Sequence, residues 1–128
     1  MQKVNTTAFI EELTKRVNQV LPTTYDEAPL KATSFPYAVV SGINIIDLDS
    51  GDLASFYIDV WADEKEPEAA IKLERACDSL RNALTNAVIS VPDIFYGHIG
   101  FDNQNTVADN EFDIAHRRLS MSARLFYY

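Results

Sequence analysis

From Phe56 to Trp61 the chain alternates strictly, with Phe56, Ile58 and Val60 on one side and Tyr57, Asp59 and Trp61 on the other. Period two over six residues is the mark of a half-buried strand. A charged corner, Asp63 to Glu66, follows, and Pro67 stands where a helix begins, at a first-turn position that needs no N–H. Beyond it Ala70, Leu73, Ala76, Cys77, Leu80, Ala83 and Leu84 recur every three or four residues and draw one narrow apolar stripe along a helix. Lys72, Arg75, Asp78, Arg81 and Asn82 face away from it. The other elements are arranged around this strand-to-helix unit.

Upstream, Asn5, Thr6 and Thr7 are candidate N-caps for a first helix whose buried stripe is Phe9, Ile10, Leu13, Val17, Val20 and Leu21. Glu11–Lys15 and Glu12–Arg16 form i,i+4 pairs on its outer side, and Pro22 ends it. Residues 22–36 carry three prolines and no periodicity, which predicts a loop or an interaction arm. Tyr37 to Val40 reads as a short strand stopped at Ser41-Gly42. Ile43 to Leu48 and Leu53 to Trp61 read as a hairpin closed by Asp49-Ser50-Gly51-Asp52, side chains that turns favour. After the second helix, Ser90 to Asp93 reads as a turn, Ile94 to Phe101 as a strand, residues 102–112 as a polar loop, and Phe112 to Tyr128 as a long final strand. The predicted order is α-β-β-β-α-β-β: an α+β fold, one domain over residues 1–128, with a mostly antiparallel sheet and both helices on one face.

Composition narrows the function. At 128 residues one core fits and two do not. The single cysteine, Cys77, lies on an apolar helix stripe, so it reads as a small core hydrophobe and no intrachain disulfide is available. No apolar run approaches the ~20 residues of a membrane span, and the first twenty residues are unlike a signal peptide, so a soluble, intracellular protein is expected. A net charge of −8 argues against gripping phosphate chains through a basic patch, and the basic residues gather only at Arg117, Arg118 and Arg124.

Candidate chemistry is thin. His98 and His116 would need the last two strands to pair and a third ligand to hold a metal ion, and two solvated strand histidines are the simpler expectation. Asp47-Leu48-Asp49-Ser50-Gly51-Asp52 departs from a calcium-loop pattern and fits a hairpin tip. The enzymatic alternative is a magnesium-dependent nuclease, with Asp47 or Asp49 on one strand and Asp63-Glu64-Lys65 at the end of the next. A small ligand-binding domain is a third reading, for which no convergent polar pocket is visible. No phosphate loop, nucleophile–base pair or paired-cysteine motif is present, and no cofactor or metal is expected. Instead there is an excess of apolar and aromatic side chains outside the expected core. Ile71 falls off the helix stripe, Tyr57 and Trp61 lie opposite Phe56 and Val60, and the chain ends Phe126-Tyr127-Tyr128. The predicted interface is therefore Tyr57, Trp61, Ile71, Tyr127 and Tyr128.

Several strings carry a resemblance. The N-terminal helix, the loop with Ala28-Pro29, Phe35-Pro36-Tyr37-Ala38-Val39-Val40, Tyr57-Ile58-Asp59-Val60-Trp61-Ala62, the helix with Ala76-Cys77-Asp78-Ser79-Leu80 and the long last strand resemble the tail-terminator and tail-completion proteins of long-tailed bacteriophages. The resemblance covers nearly the whole chain. It implies a small α+β virion assembly protein, not an enzyme, in the tail-neck region of the particle and in the host cytoplasm during assembly. It further implies a hexameric ring that caps the tail tube and takes part in head–tail joining, with the tail tube protein and a head-completion or connector protein as partners. It brings no active-site residues and no cofactor. If DNA passes such a ring without being bound, carboxylates should line the lumen, and Asp47, Asp49, Asp52, Asp102 and Asp109 are the candidates.

Overall fold

A computed structural model describes residues 3–27, 35–108 and 114–128. Asp109 lies outside the described residues, as do residues 28–34 of the proline-punctuated stretch and the start of the expected last strand. The elements are α1 (Thr6–Asn18), β1 (Thr23–Tyr25), β2 (Tyr37–Asp47), β3 (Asp52–Asp63), α2 (Ala69–Leu84), β4 (Val88–Val91), β5 (Phe95–Thr106) and β6 (Ile114–Tyr127). The six strands form one sheet in the order β1-β2-β3-β6-β5-β4, parallel between β1 and β2 and antiparallel elsewhere. This is the expected α+β architecture, with two short strands added at the sheet edges.

Both helices cover the same face. Asn5 caps α1, its side-chain oxygen accepting from the Ala8 N–H at 3.0 Å. Phe9, Leu13 and Val17 are fully buried, and the Phe9 ring meets Phe56 and Phe95 edge-on, each at 6.0 Å. On α2, Leu73, Cys77, Leu80 and Leu84 join Phe56, Ile58 and Val60 of β3 and Leu119, Met121, Ala123 and Leu125 of β6 in one continuous core. The α2 stripe is narrower than its sequence suggests. Ala69 is inside while Ala70 and Ala83 are exposed, because the buried seam runs through Ala69, Leu73, Cys77, Leu80 and Leu84 alone; the helix starts two residues after Pro67, behind a left-handed Glu68 (φ 57°). Burial pushes the Cys77 thiol up to about 12, with the nearby Glu74 charge a lesser cause and the Arg117 charge a smaller opposing one.

Three departures from the expected strands matter later. Gly42, at φ +66°, does not stop a strand; it makes a bulge, with a register shift between Ser41 and Asn44, and β2 runs on to Asp47. The polar residues after Phe101 are not a loop either. They continue β5 through a second irregularity at Asp102 and pair as far as Thr106↔Arg117. Finally, Thr23–Tyr25 and Val88–Val91, expected in a loop and partly in a turn, are the edge strands β1 and β4.

Candidate functional site

The face of the sheet away from the helices is uncovered by any described residue of the chain, and its centre is polar. Asp59, in the middle of β3, is only 4% exposed. Its Oδ1 accepts from Arg118 Nε at 2.9 Å and lies 2.8 Å from His116 Nε2, while Oδ2 accepts from Arg118 at 3.4 Å and from Ser41 Oγ at 3.4 Å. The Asp59 hydrogen bond holds the Arg118 guanidinium protonated above its ordinary range, against a smaller opposing effect of burial.

Register explains how the site is built. Asp59 pairs with Arg118 across the β3–β6 ladder, and Trp61 pairs with both His116 and, on its other side, Tyr37. Three cross-strand neighbours on one face put three rings in line. Tyr37 stacks on Trp61 at 5.3 Å, Trp61 stacks on His116 at 4.3 Å, and Phe35 extends the row at 5.2 Å from Tyr37. Arg118 lies 4.3 Å above the Tyr57 ring. The rings and the guanidinium together roof the Asp59 carboxylate, which is how a charge becomes buried on an otherwise open face. A carboxylate whose acceptor sites are directed at an arginine, a histidine and a serine is a structural anchor. The result is a stiff, largely aromatic platform.

A second aromatic group closes the far end of the same face. Tyr96 stacks on Phe126 at 5.1 Å and leans on Tyr128 at 6.0 Å, with Arg124 5.7 Å over Phe126. Among the predicted interface residues, Tyr57, Ile71 and Tyr128 are exposed and Trp61 is half-buried in the platform. Tyr127 points into the core, where its hydroxyl donates to Asp52 Oδ2 at 2.9 Å, and burial pushes that phenol up. Asp52 is itself buried by this contact, so of the acidic residues expected at a lumen it is Asp47, Asp49 and Asp102 that are exposed.

The nuclease constellation does not form. Asp47 and Asp49 flank one end of β3 and Asp63 ends the other, eleven residues away along a continuous strand, or about 37 Å. Asp49 is used locally, its left-handed backbone N–H bonding to Asp47 Oδ1 at 2.8 Å inside the tip. His98 and His116 share the open face and pair with Arg124 and Trp61, but eight residues along β6, about 27 Å, separate those levels. Among the described residues, no three of His, Cys, Asp and Glu come together in a group able to hold a metal ion. No described helix is long and apolar enough to cross a membrane.

Sequence reasoning missed the Asp59–His116–Arg118 group. The signal was present: Asp59 shares its phase with Tyr57 and Trp61, and His116 and Arg118 share the phase opposite to Leu119 and Met121. Only the register brings the two phases onto one face.

No protein-family model matches the chain, and no curated protein sequence matches it. Solved structures do. A chain in the virion of a native gene transfer agent particle superposes with a TM-score of 0.69 at 18% identity, covering 93% of this chain and 98% of that one. A second solved chain gives a TM-score of 0.66 at 12% identity over 96% of this chain and 94% of its own length. At these identities the likeness establishes a shared fold, and it runs nearly end to end in both cases.

Proposed function

We propose that this chain is a structural virion protein of the tail-terminator type: copies assemble into a ring, six by the family resemblance, that caps the tail tube and joins it to the head. The observation that carries the reading is the end-to-end match with a chain of a gene transfer agent virion, over 93% and 98% of the two chains. It agrees with the independent resemblance of the sequence to tail terminators. The open face supports it as well. Tyr57, Trp61, Tyr96 and Tyr128 on an uncovered sheet face are surface that a monomer gains nothing by exposing.

In this reading no chemistry is performed and no cofactor is needed. The aromatic platform seats a protein partner, either the tail tube protein or the connector, and Asp47, Asp49 and Asp102 are carboxylates available to keep a lumen repellent to DNA. The test is to mix the purified chain with a phage tail tube protein and follow both by sedimentation. Co-sedimentation at a fixed low ratio to tube protein, lost in Trp61→Ala, is expected. A chain that never associates with tube ends, at any concentration, overturns the proposal.

A further inference from the structure

The two edges of the sheet are stepped, and the steps match. β1 covers only Ala38 to Val40 of β2, so the outer edge of β2 from Gly42 to Asp47 is unpaired among the described residues. At the opposite edge β4 covers Phe95 to His98 of β5 and the residues just before it cover Ile99, and the outer edge from Phe101 to Thr106 is unpaired among them.

Following the registers across the sheet gives the level of each step. Thr23, Thr24 and Tyr25 run through Ala38, Val39 and Val40, then Val60, Asp59 and Ile58, then Arg117, Arg118 and Leu119, to Thr106, Asn105 and Gln104. β1 therefore stands level with the part of β5 that β4 leaves bare. Val88 and Ile89 run through His98 and Gly97, Arg124 and Leu125, Leu53 and Asp52, to Ile46 and Asp47. β4 stands level with the part of β2 that β1 leaves bare.

We infer that two copies of this chain join edge to edge as a lap joint, β4 of one copy in the β2 notch of the next and β1 of that copy in the β5 notch of the first. Strand directions then make β4 parallel to the neighbour's β2 and β5 antiparallel to the neighbour's β1. Apolar exposure coincides with the upper step. Val88 is 60% exposed and Ile46 47% exposed, and the registers place both on the open face at one level, where they become a cross-strand pair. Tyr96, two residues from Val88's partner His98 on the same face, is also exposed. The lower step is polar, Thr23 and Thr24 facing Thr106 and Asn105. Asp26 and Asp102 fall beside the middle of the seam, so salt that screens their repulsion favours association.

Two backbone groups of the inserted strands are held in the free chain by side chains at the end of α1, Val88 O by Arg16 Nη1 at 2.7 Å and the Thr23 N–H by Asn18 Oδ1 at 2.9 Å, and these contacts give way to strand pairing at the seam. An edge that ends in unpaired strand is a template for pairing, and here each notch matches the strand at the other edge. The contact is therefore heterologous, the kind that closes into a ring when the rotation per copy allows. This deepens the ring reading and rests on it.

Paired cysteines test the seam. Ile46→Cys with Val88→Cys marks the upper step and Thr24→Cys with Asn105→Cys the lower; the native Cys77, fully buried, stays in place. Ile71→Cys with Val88→Cys is the control, since Ile71 lies on the outer side of α2. Each protein is sized by native mass spectrometry under reduction, then oxidised and run without reductant. The expected result is an oligomer in every case and a disulfide-linked ladder with both seam pairs but not with the control. An oligomer with no more ladder from the seam pairs than from the control overturns the lap joint and leaves the ring standing. A monomer throughout, with or without tube protein, overturns both.

Discussion

Replacing Asp59 by alanine removes the acceptor that His116, Arg118 and Ser41 share, and the cost follows from the burial of each partner. Asp59 and His116 are nearly inaccessible, whereas the Arg118 side chain is 37% exposed and can return to water. Removing one partner of a buried hydrogen-bonded pair costs about 1–3 kcal/mol, more where a charge is involved, and breaking an exposed ion pair about 0–1. With one partner buried and the other able to re-solvate, a loss of about 2–4 kcal/mol is expected. A 128-residue protein has an unfolding entropy of about 0.27 kcal/mol/K, so the midpoint should fall by about 7–15 °C. Thermal and urea unfolding of Asp59→Ala, Arg118→Ala and the double variant close a cycle that isolates the Asp59–Arg118 coupling. A positive coupling near 1 kcal/mol, with the larger part of the Asp59→Ala loss surviving in the Arg118→Ala background, is the predicted pattern. Asp59→Ala within about 0.5 kcal/mol of the parent would refute the claim that the carboxylate anchors the platform.

Three further outcomes are expected. Leu80→Ala, which empties a fully buried site between α2 and β3, should cost about 2–5 kcal/mol in urea unfolding; a change of a few tenths means the helix face is misassigned. The Cys77 thiol, ordinarily near 9.0 and pushed up to about 12 when folded, contributes its full stability below pH 9 and loses it as pH rises toward 12, since the unfolded chain ionises first. The stability difference between parent and Cys77→Ala should therefore shrink between pH 9 and 11, by up to about 1.4 kcal/mol per pH unit, and a constant difference contradicts the burial argument. Reversing Asp49 to lysine, exposed at the hairpin tip and outside the seam, should leave the oligomer intact and slow DNA release from assembled particles. Unimpaired release removes it from the lumen.

What was legible in the sequence was whatever periodicity alone decides. The stripe of α1, the alternation of β3 and the phase of β6 all hold, and that last phase, followed from Leu119 in steps of two, already carries Tyr127 to the inside. What was illegible depends on partners. Thr23–Tyr25 is too short to show a period and is a strand only because β2 lies beside it. Asp102 to Thr106 look like a loop because their side chains are polar and exposed, yet their backbone pairs with β6. Gly42 reads as a stop when its left-handed backbone makes it a bulge within one long strand, and that continuity is what carries Asp47 so far from Asp63. The buried group at Asp59 needs a register between residues nearly sixty apart, which no local pattern encodes.

The central claim is that this chain works as a closed assembly of copies of itself, and native mass spectrometry across a concentration series measures that most directly. With a protomer of 14.4 kDa, a six-membered ring has a mass of about 86 kDa. The account predicts that species, with few intermediates, at high concentration or in the presence of tail tube protein. A mass that stays at 14.4 kDa under both conditions, in a protein that is folded by circular dichroism, would contradict it.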